Sequence, residues 1–396
     1  MTTLISLIGT GQRDLTGTSY QQTRYVWPDD TATRPTAIFT GAVIEHLRPD
    51  AVVILGTRTS AWAALIETYR DDLADLFLRL DTKGAITDDL LTETATALQR
   101  VWHIPVTCQA VCDRDVTAAN AAGILVACAQ AFPTTGLAIL DVTHCFRSVA
   151  LLAQAAAHLL ESIHPKLTTR ILYGDLITHA ARAAQPAKNG DSIANGKAIE
   201  LSTLGRAAEL SAALRSVFLA LDFEPLADWM DDPELKRTCQ AVATALRSLD
   251  FDGLTSKAQP FRTRLDQADD PLLSLVAPAL DALIKPLTGR PLDQTLITLA
   301  RYACDRHLWS LALFAGVEAG YAQAVRGARV TSDAELDEAY QSSLRALTPG
   351  DREALAQLKQ ARNQSAHGSH LIDRKPLDPK AVLQRALPIL KRLIDH

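Results

Sequence analysis

Leu137-Ala138-Ile139-Leu140-Asp141-Val142-Thr143-His144-Cys145-Phe146-Arg147 decides how the first half of the chain is read. The apolar run 137–142 is too short for an isolated helix and has the composition of a buried strand. From Arg147 to Ile163 the apolar residues return at helical spacing. From the end of the first to the start of the second stand four hydrogen-bonding side chains, Asp141, Thr143, His144 and Arg147. Such groups at the end of a buried strand are costly unless they are solvated or bind something. That favours a ligand site here.

Outward from this segment the same alternation recurs. Thr3–Ile8, Ala51–Gly56, Ile104–Val111 and Thr169–Tyr173 are further short Val/Ile/Leu-rich runs. Helical patterns separate them: Thr36–Leu47, Ser60–Leu80, Asp88–Trp102 and Thr117–Phe132. Strand–helix alternation predicts a parallel sheet covered on both faces, a Rossmann-like doubly wound domain over residues 1–185. QPAKNGDSIANGKA, residues 185–198, breaks the pattern, so 186–200 reads as a linker or exposed loop. Beyond it every periodic segment is helical: Ser202–Leu221, Pro233–Leu249, Pro271–Pro286, Leu292–Val325, Asp333–Leu347, Asp351–Ala366 and Pro379–Asp395. Pro233, Pro271, Pro291 and Pro379 stand at segment starts, where a first helical turn accepts proline. The expected fold is α/β plus all-α, with the helical domain over 201–396.

Composition narrows the function. At 47% hydrophobic and 21% charged, the 396 residues suit a globular chain rather than a disordered one. A net charge of −5 excludes a bulk nucleic-acid coat, though not a local basic site. No two of the six cysteines have CxxC spacing, so they read as reduced thiols rather than a zinc site or disulfide framework. The start, MTTLISLIGTGQRD, has neither the basic nor the long apolar region of a signal peptide, and no apolar stretch spans a bilayer. The expectation is a soluble, cytoplasmic protein without metal.

In a parallel sheet, ligands bind at the carboxyl ends of the strands near the switch point. Two more such ends carry chemistry. Gly9-Thr10-Gly11 follows the first strand; the glycines let backbone N–H groups approach a ligand, or they only make a tight turn. Asp14 stands where a dehydrogenase loop needs its third glycine, which disfavours nicotinamide binding. Thr57-Arg58-Thr59-Ser60 is an anion-friendly helix start, or an ordinary N-cap. Together the ends offer many donors, some positive charge and no nucleophile with its base. That suits phosphates and nucleobases better than covalent catalysis.

In the helical half, Arg362, Asn363 and His367 form an RNxxxH pattern near the end of one segment. Asn363 and His367 are i and i+4 and share a face. Histidine moves protons near neutral pH, arginine stabilises charge on a phosphorane, and asparagine orients either partner. The plainer alternative is a histidine at a helix C-terminus, with Gly368 as its cap. Residues 351–396 hold nine Lys or Arg against five Asp or Glu, a basic balance that a polyanion site or a solvated face would both show.

SLIGTG near the start, the threonine-rich loop, DVTHCFR, YGD at 173–175, Ile199-Glu200-Leu201-Ser202 and RNxxxH together resemble a CRISPR-associated CARF–HEPN ribonuclease, a type III accessory protein. Glu200 departs from the more usual Asp. The resemblance implies a CARF sensor domain and a HEPN ribonuclease domain. It implies that cyclic oligoadenylate binds across two CARF domains of a homodimer at Gly9, Thr10, Gly11, Thr57, Arg58, Thr59, Asp141, Thr143, His144 and Arg147. It implies that Arg362, Asn363 and His367 of two copies meet in one composite site. That site would cut single-stranded RNA by 2′-OH attack without metal, leaving a 2′,3′-cyclic phosphate. A two-fold dimer suits a ring of matching symmetry, so cyclic tetra-adenylate is favoured over the hexa-adenylate. Two sites in two domains are the anatomy of an allosteric switch. Two alternatives stand beside this reading: a non-catalytic ring sensor, and a CARF domain that also cleaves the ring, with Thr10, Thr57, Thr59 and His144 positioning a ribose.

Overall fold

The five short apolar runs do form strands, and with two more they make one seven-stranded sheet among the described residues. The computed structural model describes residues 1–11, 13, 17, 19–81, 84–176, 193–326, 330–367 and 377–395. The strands are β1 (Thr2–Ile8), β2 (Thr23–Val26), β3 (Ala51–Thr57), β4 (Val106–Cys112), β5 (Gly136–His144), β6 (Leu167–Leu176) and β7 (Ala194–Glu200). Their order is β2-β7-β6-β5-β1-β3-β4. The five from β6 to β4 are parallel, and the order reverses between β1 and β5. That reversal is the topological switch point of a doubly wound sheet. The sheet is mostly rather than wholly parallel, because β7 runs antiparallel to β6.

Helices cover both faces. α1 (Phe39–Leu47), a 3-10 helix (Trp62–Tyr69), α2 (Ala74–Leu80) and α3 (Asp88–Trp102) pack on one, around Phe39, Trp62, Phe77 and Leu98. α4 (Ala121–Gln130) and α5 (Arg147–Ile163) pack on the other. On α5 the inward residues Val149, Ala153, Ala156 and Ala157 are small, so the helix lies close to the strands. α3 starts where Thr87 accepts from the Leu90 N–H.

The sequence missed β2 and β7. Ala194–Glu200 is a strand, which corrects the expected linker at 186–200 over those residues; 177–192 lie outside the described residues. Its glycine disguises it, yet a Cβ on Gly196 would stand 2.7 Å from the Tyr25 ring, so the ring needs that gap. The expected helix Ser60–Leu80 is instead a 3-10 helix followed by α2, with the Trp62 indole N–H held by the Thr57 carbonyl at 2.9 Å.

The chain divides into two units, Met1–Ala208 and Glu209–His396. The second contains no strand among its described residues. Its helices are the end of α6 (Ser202–Ala220), α7 (Glu224–Trp229), α8 (Pro233–Arg247), α9 (Phe251–Leu265), α10 (Pro271–Ile284), α11 (Leu292–Asp305), α12 (Trp309–Ala324), α13 (Asp333–Leu344), α14 (Pro349–His367) and α15 (Pro379–Asp395). Asp232 and Asp270 cap α8 and α10, each with proline in the first turn. The expected helix Leu292–Val325 breaks at 306–308, where His307 takes φ +60°. Arg306 fixes the break by donating to the Phe218 carbonyl at 2.6 Å. α12 packs against α11, α13, α14 and α15.

Candidate functional site

Asp141 is fully buried and stands in register with Ser6 on the neighbouring strand. The Ser6 hydroxyl donates to Asp141 Oδ2 at 2.7 Å, the Thr40 hydroxyl does so at 3.4 Å, and the Thr143 N–H donates to Oδ1 at 2.9 Å. The carboxylate therefore organises the strand end and does not face a ligand. One residue further, the ladder slips: Ser6 opposes Asp141, but Ile8 opposes His144. β5 carries an extra residue there, a bulge of the kind that re-aims side chains beside sites.

His144 is re-aimed onto α1. Its Nε2 accepts from the Phe39 N–H at 3.0 Å, at the first turn of that helix. That bond requires an unprotonated Nε2, so the ring is neutral with its proton on Nδ1. Burial pushes its pKa below the ordinary histidine value, against an opposing pull from Asp141. Thr143 Oγ1 accepts from the Gly174 N–H at 2.8 Å and keeps its own proton to donate. Burial raises the Cys145 thiol to about 12, with Asp141 adding to the shift, so it is no nucleophile.

The other two ends are tied to this one. The Ala61 N–H donates to the Gly9 carbonyl at 2.6 Å, and the Ser60 hydroxyl to the Ile8 carbonyl at 3.0 Å. A Cβ on Gly9 would stand 2.5 Å from the His144 carbonyl oxygen. Gly11 has φ +67°, and a Cβ there would meet Tyr20 and Ala61. Close packing thus demands both glycines, whatever else they do. Thr57 is fully buried; its N–H donates to Ser60 Oγ at 2.9 Å and its hydroxyl lies 3.2 Å from those of Thr59 and Ser60. Arg58 is half-buried between Asp88 at 2.8 Å and Asp113 at 3.2 Å, and donates to the Ile86 carbonyl at 2.8 Å.

The ten expected ring contacts therefore separate. Gly9, Thr57 and Asp141 are buried framework, and Arg58 is held by two carboxylates. Thr10, Gly11, Thr59 and Arg147 are exposed, while Thr143 and His144 are half-buried. Arg147 opens α5, which has no side-chain cap among the described residues. An uncapped helix start with an arginine beside it favours anions.

In the second unit, Arg362 is half-buried on α14 and its guanidinium lies 5.6 Å from the centre of the Phe314 ring. Its terminal nitrogen is 4.0 Å from Glu318 Oε1, and its Nε is buried with no hydrogen-bond partner among the described residues. Burial raises the Glu318 pKa, Arg362 lowers it, and Asp252 raises it again. Asn363 is exposed on the same helix. His367 is the last residue of α14; its side chain, and Gly368, lie outside the described residues. The sequence reading overlooked Glu318, although a carboxylate alone among the apolar and small residues of α12 is itself a signal.

Among the described residues no group of three or more His, Cys, Asp or Glu could hold a metal, and no helix is long and apolar enough to cross a membrane. No family model matches the chain, and no curated protein does. Among solved structures, Enterococcus italicus Csm6 bound to cyclic hexa-2′-fluoro-hexa-dAMP aligns at a TM-score of 0.36 and 12% identity, covering 100% of this chain and 93% of that one.

Proposed function

We propose that the chain is a cyclic oligoadenylate-activated single-stranded RNA endoribonuclease of the CARF–HEPN kind, serving type III CRISPR antiviral defence. One observation carries the reading: the uncapped start of α5, with exposed Arg147, stands at the switch point of a doubly wound sheet beside the Gly9–Gly11 turn. Nucleotide phosphates bind at such helix starts. In this reading Thr10, Gly11, Thr59, Thr143 and Arg147 touch the ring. Gly9, Thr57 and Asp141 shape the cradle, and Arg58 braces its β3–β4 side.

The ring joins two copies. α5 exposes Leu151, Leu159 and Ile163 at four- and eight-residue spacings, an apolar stripe on one face. We assign that stripe to a homodimer, with cyclic tetra-adenylate as the favoured activator on grounds of symmetry. In the helical unit the substrate's 2′-OH attacks the adjacent phosphorus. Arg362 stabilises the phosphorane, Asn363 orients the phosphate, and His367 exchanges protons with the attacking and leaving oxygens. The products are a 2′,3′-cyclic phosphate and a 5′-OH, and this route needs no metal.

The test is cleavage of a single-stranded RNA with and without cyclic tetra-adenylate. Wild type should cut only with the ring, and Arg362→Ala and His367→Ala should not cut. A wild type that cuts nothing with any ring size, yet binds one tightly, is the non-catalytic sensor instead. Ring cleavage by the first unit finds less support, because His144 spends its Nε2 lone pair on Phe39.

A further inference from the structure

The second unit holds a cavity of about 460 Å³ lined by α9, α11, α12 and α13. Three aromatic residues, Phe251, Phe314 and Tyr321, line it together with Glu318 and Asp252. Phe314 and Glu318 are also the two residues against which Arg362 rests. The cavity therefore adjoins the side chain assigned to the scissile phosphate.

Aromatic walls accept any nucleobase by stacking. The acceptor decides which base is preferred. Glu318 retains 39% of its side-chain exposure, and its oxygens accept no hydrogen bond among the described residues; Arg362, at 4.0 Å, is an ion pair only. A carboxylate accepts two parallel N–H bonds from the N1–H and N2–H of guanine. Adenine and cytosine would set a ring-nitrogen acceptor against one of its oxygens. Uracil would set two carbonyls around a single N–H. Asp252, near enough to act on the Glu318 charge, disfavours phosphate in the cavity and leaves it to a neutral base.

We infer that this cavity is a specificity pocket for a guanine next to the scissile bond, with Glu318 reading its Watson–Crick edge. The inference rests on the assignment of Arg362 to RNA cleavage, and it goes beyond that assignment by naming the base.

The test is binding, which does not depend on cleavage. Uridine hexamers carrying 2′-O-methyl groups cannot be cut, since attack needs a free 2′-OH. One position is varied among guanine, inosine, adenine and cytosine, and Kd is measured for the full chain with and without cyclic tetra-adenylate. Guanine should bind at least about fivefold tighter than adenine, the lower end of the discrimination of one bidentate base contact. Inosine, which lacks the N2 amine, should fall between them in unaltered protein. In Glu318→Gln the preference should shrink to within about twofold. No preference for guanine over adenine, or a preference that survives Glu318→Gln, overturns the inference. Cleavage of the matching 2′-OH hexamer, run in parallel, reports separately on the nuclease reading.

Discussion

Two residues of the strand-end crevice carry measurable consequences of their own. Gly9→Ala must place its methyl 2.5 Å from the His144 carbonyl oxygen, which is backbone and cannot swing aside. Overpacking of this kind costs about 1–3 kcal/mol, and chemical denaturation should show it; an unchanged midpoint would mean that Gly9 serves only the ligand. His144 carries a pH signature. Its folded pKa is depressed, so between the ordinary histidine value of about 6.5 and that lower value the unfolded chain holds a proton that the native chain does not. Stability contributed here is complete above about pH 6.5 and is lost as pH falls through the folded pKa. In His144→Gln a carbonyl can accept from the Phe39 N–H without titrating, so urea midpoints between pH 8 and 5.5 should fall less than in wild type. Parallel profiles for the two would count against the bond. The sequence singled out these residues by type alone. It could not show that Asp141 faces inward, because that depends on Ser6 and Thr40, which reach it across the fold, nor that the turn after β3 folds Ser60 back onto a buried Thr57.

At the scale of elements, legibility followed how local the cause was. α5 runs from Arg147 to Ile163 as its periodicity predicts, and α3 and α15 likewise match, because each has a clean apolar face. The break between α11 and α12 was invisible, since its cause is a carbonyl 88 residues away. β7 was hidden by its polar residues and by Gly196, whose missing side chain makes room for the Tyr25 ring. α5 also joins two proposed roles, with a ring at its start and a second copy along its outer stripe. Leu151→Asp with Leu159→Asp should leave the fold intact, as both side chains are more than half exposed, and should shift the chain from dimer to monomer in sedimentation. A dimer that persists would move the interface elsewhere.

For the whole molecule, a net charge of −5 leaves room for the two proposed nucleotide sites, one in each unit. From the sequence the helical domain was expected to start at Leu201, after a linker; the units divide after Ala208, inside α6. The ring should stabilise the native chain by mass action, by about 2.7 kcal/mol at a hundredfold excess over its Kd. A thermal shift should therefore appear in wild type and in Arg362→Ala, and weaken in Arg147→Ala. At saturating ring, Arg147→Ala should still cut RNA at the wild-type rate, since only the occupancy curve moves. A lowered maximal rate would show that Arg147 does more than hold the ring.

The extra residue in β5 sets a different kind of constraint, one on length. Ile8 meets His144 only because three steps along β5 match two along β1 after Asp141. Successive strand residues point to opposite faces, so removing Val142 would restore an even ladder and reverse every side chain after it. His144 would leave Phe39, and Thr143 would leave Gly174. Natural variation across Asp141–His144 should therefore take the form of exchanged letters, with insertions and deletions displaced to the loops beyond.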